Sequence, residues 1–534
     1  MFRAASAFLL MSTVVAGALG STRAADVDAQ QRWWAHVSFL ASDDLQGRDT
    51  GSEGHRKAAA YVAEQFRAAG LAPAGTSGYL QPVQFTSRTI VEAQSSLALV
   101  RDGKVEPVAL GPEAAFSMRI DPAPQVEAPL AFVGYGLSIP ELKIDDFAGQ
   151  DLRGRVAVYL LGSPAGVPDA LSAHAQSAAV RWGALKKVGA LGAIVLQHPG
   201  RIEPPWERST LARLQPAMSI TDPALDDTAG QQVSIAFNPA SGERLFAGSG
   251  HTFAEMVALA DTRKPLPGFP LPAVVRAKVT VEKTTITSDN VVGKLVGSDA
   301  ALRDEYVVLS GHLDHLGVGG AVNGDRIYNG AMDNASGIAS LIETAAALAR
   351  SPEKPKRSVL FVAVTAEEKG LLGSRYFATH PPVPATAVVA NINMDMFLPL
   401  FPMKSVMVFG LDESDLGASV RTVAASMGLA VQGDPEPLRN RFIRSDQYSF
   451  IRQGVPALAL KVGYAPDSPD AKTHAAWTTE RYHAPSDDLQ QPVDRGAAVV
   501  FDDLLVRLTT AVANQPQRPR WNDTSFFKRF AAAP

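Results

Sequence analysis

A chain of 534 residues is too long for one simple core and has room for two or three domains. Hydrophobic residues at 46% and charged residues at 19% are ordinary for a globular protein, and a net charge of -4 gives no electrostatic ground for nucleic acid or an anionic membrane as partner. The absence of cysteine excludes thiol nucleophiles, disulfides and Cys-based zinc sites, so any metal must be held by histidines and carboxylates.

Residues 1–25 open with one positive charge, Arg3, followed by an uncharged stretch over 4–22 and small residues around Ala24 and Ala25. This is the layout of a secretory signal peptide, so the chain is expected to be exported, periplasmic or secreted, with no membrane span once the leader is removed. Residues 29–70 read as two helices, with Ala58, Ala59, Tyr61, Val62 and Phe66 at helical spacing and Gly70 as a stop. Strands are expected at 81–86 and 95–101. From about 122 the texture changes to short apolar runs between turns, such as PLAFVGYG (129–136) and GRVAVYLLG (154–162), with one helix-like stretch at 177–188. From about 288 strands and helices alternate. Strand candidates are 289–297, 305–311, 358–365, 387–396, 405–410 and 455–462, and the clearest helices are Ser336 to Ala349 and Leu416 to Met427. Near-continuous apolar strands between helices imply an α/β fold with a mostly parallel central sheet sandwiched by helices. The expected organisation is one such domain split into 26–121 and 281–515 around a β-rich unit at 122–280, with a tail at 516–534. Nothing in the sequence fixes an oligomeric state.

Ligands of open α/β sheets bind beyond the carboxyl ends of the strands, so polar residues at those ends are the candidates for chemistry. His312, Asp314 and His315 follow one strand, Glu367 and Glu368 another, and Asp395 a third. Asp333 stands just before a helix, and Tyr482 and His483 lie in a turn-like loop. So many charges on one sheet edge would repel each other without cations, and two divalent ions would resolve this. Imidazole and carboxylate donors favour zinc, with cobalt or manganese fitting the same set. Asp314, two residues from His312, is placed to accept a hydrogen bond from the second imidazole nitrogen. If the strand continued, His315 would face away from Asp314, and it reads as structural. In the adjacent pair, Glu368 is expected as metal ligand and Glu367 as the group that handles protons. Either Asn334 or Ser336 is suited to cap the helix after Asp333.

The segments GHLDHLG (311–317), NGAMDNASG (329–337), TAEEKGLLGS (365–374), NMDM (393–396) and YHAPSDD (482–488), with a weaker match in SDQYSFIRQGVPAL (445–458), resemble the co-catalytic zinc aminopeptidases and glutamate carboxypeptidases, a family that also includes the transferrin receptor ectodomain. The resemblance covers roughly residues 30–110 and 285–510. It implies two zinc ions per chain, one completed by His312 and Asp395, the other by Glu368 and His483, with Asp333 bridging them. It also implies Glu367 as general base, Asp314 as orienting carboxylate and Tyr482 as a polariser of the scissile carbonyl. The substrate implied is a peptide with a free terminus, cut as by an aminopeptidase, with carboxypeptidase and glutaminyl cyclase chemistry as the alternatives on the same fold. The 122–280 unit resembles an inserted protease-associated domain through DDFAGQDLRGRVAVYL (145–160) and ALKKVGALGAIVLQ (184–197). A serine hydrolase is disfavoured because no G-x-S-x-G elbow occurs, and a single-zinc H-E-x-x-H protease because that motif is absent. A non-catalytic binding protein is expected to have lost ligands, and none is missing.

Overall fold

A computed structural model describes residues 26–202 and 205–531; the expected leader at 1–25 lies outside the described residues. Among the described residues no helix is long and apolar enough to cross a membrane.

The larger sheet has ten strands. Its four central strands, Ser358–Val364, Tyr306–His312, Val388–Asn393 and Ala457–Val462, lie side by side and are all parallel. Antiparallel strands extend it on both sides: Val281–Leu295, Leu80–Ile90 and Ala217–Ile220 on one, Ser405–Phe409 on the other. The central strands are apolar on both faces because both faces are covered. Val307, Leu309, Phe361 and Ile392 pack under helices Ser336–Arg350, Leu416–Ser426 and Arg495–Ala513. The alternate residues Val308, Leu360 and Val362 pack on the other side with Phe377, Phe450, Trp521 and Phe527. The stretch after 515 is therefore part of the fold, since Trp521 and Phe527 are buried.

A second sheet of eight strands runs from Lys104–Val108 through Ser96–Arg101, Gly268–Lys278, Gln125–Val133, Val156–Leu160, Gly192–Leu196 and Val233–Phe237 to Ala114–Phe116. It has its own core, including Leu130, Phe132, Val158, Ile235 and Val275. This sheet begins ahead of residue 122, because Ser96–Arg101 pairs antiparallel with Gly268–Lys278. Conversely, Ala217–Ile220 leaves its neighbours in sequence and pairs with Leu80–Ile90 at the edge of the larger sheet. The two units are also tied by a salt bridge in which Asp227 Oδ2 meets Arg375 Nη1 at 2.6 Å and Arg452 Nη1 at 2.7 Å.

Candidate metal centre

The parallel register sets the site. Ser310 pairs with Asn393 and His312 with Val364, so three adjacent strands end at one level and their following loops leave on the same edge. Those loops carry Asp314, Glu367, Glu368 and Asp395. Non-glycine left-handed backbone occurs at Ala366, Met396 and His483 (φ of 56°, 48° and 54°), at or within two residues of three ligand positions. Each such residue costs on the order of 1 kcal/mol and persists only where its surroundings dictate it.

The structure brings all five expected ligands together. His312 Nε2 lies 3.2 Å from Asp333 Oδ1 and 3.3 Å from Asp395 Oδ1. His483 Nε2 lies 3.3 Å from Asp333 Oδ2 and 3.2 Å from Glu368 Oε2. Asp333 thus divides its two oxygens between two groups, each made of one histidine and one further carboxylate. Fold and donor set are those of an α/β protein built around a carboxylate–imidazole metal centre.

The buried charges respond to one another. Burial would raise the Glu368 carboxyl, but His483 and His315 reverse this and hold it well below the usual carboxylate range. Asp333 is likewise lowered: burial and Glu368 oppose ionisation, and the bonds to His312 and His483 prevail. Glu367 goes the other way. Burial pushes its carboxyl well up, His312 offsets part of this, and Asp395 and Glu368 add to the rise. Two neighbouring carboxylates with opposite shifts are the pattern expected when one serves as ligand and the other as proton carrier.

Three observations differ from or go beyond the sequence reading. The ring of His312 is oriented by the backbone carbonyl of Asp314, 3.1 Å from Nδ1, and not by its carboxylate. The Asp314 carboxylate instead accepts from the Glu367 backbone N–H and the Thr50 hydroxyl, both at 3.0 Å. The spacing was compatible with either, and the chain turns after His312, which ends the strand and its alternation. For the same reason His315 is not a distant structural residue. It is fully buried with Nδ1 2.8 Å from Glu368 Oε1, and it forms a second potential donor group with Asp333 and Glu368. Neither His315 nitrogen nor Glu368 Oε1 has an aligned hydrogen-bond partner, the condition a cation would relieve. Finally, Asp487, inside the YHAPSDD segment, is a support that the motif spacing does not reveal. Its oxygens accept from the backbone N–H groups of Met332 and Asp333 at 2.9 and 3.0 Å, joining the His483 loop to the Asp333 segment.

Other supports complete the frame. Asn334 is the helix cap: its Oδ1 accepts from Gly337 N at 3.1 Å and Met396 N at 3.2 Å, and its Nδ2 donates to Met394 O at 2.9 Å. A side chain at Gly330 would meet Asp333 O at 2.2 Å, so only glycine permits this approach. Tyr482 packs its ring 3.9 Å from that of His483 and lines the cleft together with Glu367. Asp446, from the weaker motif, is buried beneath the centre, and its carboxyl is pushed up to about 7 by burial against the pull of His312.

Comparison with known proteins places this centre. Residues 290–509, which hold every ligand named above, match the model of Peptidase family M28. A probable leucine aminopeptidase 2 of Aspergillus fumigatus is 30% identical over 184 residues, 33% of this chain and 34% of that protein. Leupeptin-inactivating enzyme 1 of Streptomyces exfoliatus is 26% identical over 252 residues, 46% and 54% of the two chains. The chain thus matches about a third to a half of the length of these curated relatives. An aminopeptidase from Aneurinibacillus sp. strain AM-1 shares the fold, with a TM-score of 0.55 at 19% identity, over 92% of this chain and 94% of that one.

Proposed function

We propose that the chain is a metal-dependent aminopeptidase that holds two zinc ions, one with His312 and Asp395 and one with Glu368 and His483. The observation that carries this reading is the division of Asp333 between His312 and His483, which gives two donor groups sharing one carboxylate. Zinc bound there would supply Lewis acidity for the scissile carbonyl and for the attacking water. The protein's own part is proton handling and positioning. Glu367, whose carboxyl is raised by its buried setting, takes the proton from the water and returns it to the leaving amine. Asp314 holds the Glu367 backbone, and Tyr482, which lines the cleft, is read as the donor to the carbonyl oxygen as charge develops on it. Free peptide amino termini as substrate are supported by the names of the relatives. The second sheet is read as an inserted protease-associated domain that walls the cleft, and the leader-like residues 1–25 support export to the periplasm or medium.

Glu367→Gln should lower kcat by about 10²- to 10⁴-fold while the zinc content of the purified protein stays unchanged. Near-normal turnover in this variant would remove Glu367 from the mechanism. Elemental analysis should find two zinc ions per chain. A panel of N-blocked and C-blocked dipeptides tests direction: cleavage of N-blocked but not C-blocked members would replace the aminopeptidase reading by a carboxypeptidase.

A further inference from the structure

The cleft that opens from the metal centre, about 820 Å³, is walled by six arginines and four carboxylates. Two of the carboxylates, Glu367 and Glu368, belong to the centre itself. The other two are engaged: Asp227 by Arg375 and Arg452, and Asp226 by the Thr228 N–H and hydroxyl at 2.9 and 2.7 Å. Arg439 is held by Glu436 at 2.7 Å. Three guanidinium groups remain with no carboxylate partner among the described residues: Arg119, Arg201 and Arg444. Arg119 gives one Nη2 hydrogen bond to the backbone carbonyl of Glu368 at 2.9 Å, which fixes it at the rim of the metal centre. Arg119 and Arg444 are exposed and Arg201 is half-buried.

These three cations come from separate segments: one follows strand Ala114–Phe116, one follows strand Gly192–Leu196, and one precedes helix Gln447–Ile451. Isolated surface arginines are commonplace, but three from both units lining one cavity, each without a carboxylate partner, leave its wall with an excess of positive charge. A planar carboxylate matches the donor fork of each. At about 3.3–3.6 Å per extended residue, a cleft of this size takes only a few residues beyond the bond that is cut.

We propose that Arg444, with Arg119 and Arg201, binds a carboxylate of the substrate downstream of the scissile bond, so that the preferred substrates are short peptides ending in a free carboxylate or carrying an acidic residue there. The proposal rests on the aminopeptidase reading only for which side of the bond is downstream. The zinc-loaded full chain would be assayed on Leu-Ala-Ala as free acid and as carboxamide, and on Leu-Glu-amide beside Leu-Gln-amide, each also N-acetylated. At least one acidic member should exceed its neutral twin about tenfold in kcat/KM, mostly through KM, and Arg444→Gln should bring that ratio to about one. The first pair reads a terminal carboxylate, the second an acidic side chain. Ratios near one in the parent protein, or a ratio that survives substitution of all three arginines by Gln, would overturn the proposal. Cleavage of the acetylated peptides would overturn the aminopeptidase reading and leave the carboxylate preference standing. If no peptide is cut, calorimetry with a non-cleavable reduced-amide analogue, acid against carboxamide, gives the same ratio as a difference in Kd.

Discussion

Asp487 is not among the ligands, yet it sets where two of them stand. By accepting from Met332 N and Asp333 N, and by receiving Gln491 Nε2 at 2.6 Å, it makes the loops of Asp333 and His483 one rigid body. Its removal would leave two buried N–H groups unpaired and let Asp333 drift from the midpoint between the histidines. Asp487→Ala is expected to weaken zinc affinity by about 10- to 100-fold, the usual cost of losing an outer support of a metal ligand, as read by competition with a chromophoric chelator. Unchanged affinity would mean that the Asp333 segment is held by Asn334 and Arg48 alone. At this scale the sequence was most legible where chemistry is expensive. A carboxylate or imidazole at the end of an apolar strand has few reasons to be there, and His312, Glu368 and Asp395 stood out for that reason. Asp487 and the actual partners of the Asp314 carboxylate escaped because a hydrogen bond to a backbone N–H leaves no mark in residue spacing.

Among the elements, the short helical segment Asp43–Arg48 contributes a single side chain on which the site depends. Arg48 is fully buried and donates to the carbonyl oxygens of Leu40, Leu313, Asn329 and Gly330, the last three from the segments that precede Asp314 and Asp333. Burial lowers its pKa to about 10, and Asp487, Asp314, Asp333 and Glu368 act against that drop, so the guanidinium stays charged at neutral pH. It therefore serves as both a hydrogen-bond hub and a fixed counter-charge beneath the carboxylates. Arg48→Met should cost about 3–5 kcal/mol in chemical denaturation, the range for removing one partner of a buried ionic network. A loss below about 1 kcal/mol would show that water replaces it freely. The strands and helices of this unit matched their sequence patterns closely, from Tyr306–His312 to Leu416–Ser426, because covered parallel strands and amphipathic helices write their burial into the sequence. The second sheet did so less well. The strand Lys104–Val108, for instance, carries Lys104 and Glu106 within five residues, and its membership is decided by pairing with Ser96–Arg101 and, through it, Gly268–Lys278. Long-range partnership of that kind has no local signature.

For the molecule as a whole, three histidines away from the metal centre make acid stability a readout of packing. Burial, aided by Arg48 and Arg56, lowers His55 to about 3, and burial with Arg441 and Lys461 lowers His474 to about 3. Burial with Arg452 and Arg529 lowers His174 to about 4; this ring joins the second unit to Tyr448, at 2.8 Å, and to Phe526 and Phe530. All three are neutral in the fold and titrate near 6.5 when unfolded. As pH falls below about 6.5, the unfolded chain binds protons that the native state refuses, so stability declines down to about pH 3–4. Metal-free protein should melt at a lower temperature at pH 4.5 than at pH 7, and His474→Asn should make that slope shallower. An unchanged slope in the variant would take His474 out of the acid sensitivity.

The pairing of Ala217–Ile220 with Leu80–Ile90 bears on any attempt to dissect the protein. It covers Phe85 to Arg88 in the middle of an eleven-residue strand, and the edge it presents outward has four residues, too short to recruit another chain readily. Trimming the chain to a minimal peptidase by cutting out 96–278 would strip that cover and open the middle of the Leu80–Ile90 edge to solvent. Such a fragment should self-associate on size-exclusion chromatography even with its metal ligands intact. The second unit would then count as a solubility guard for the first.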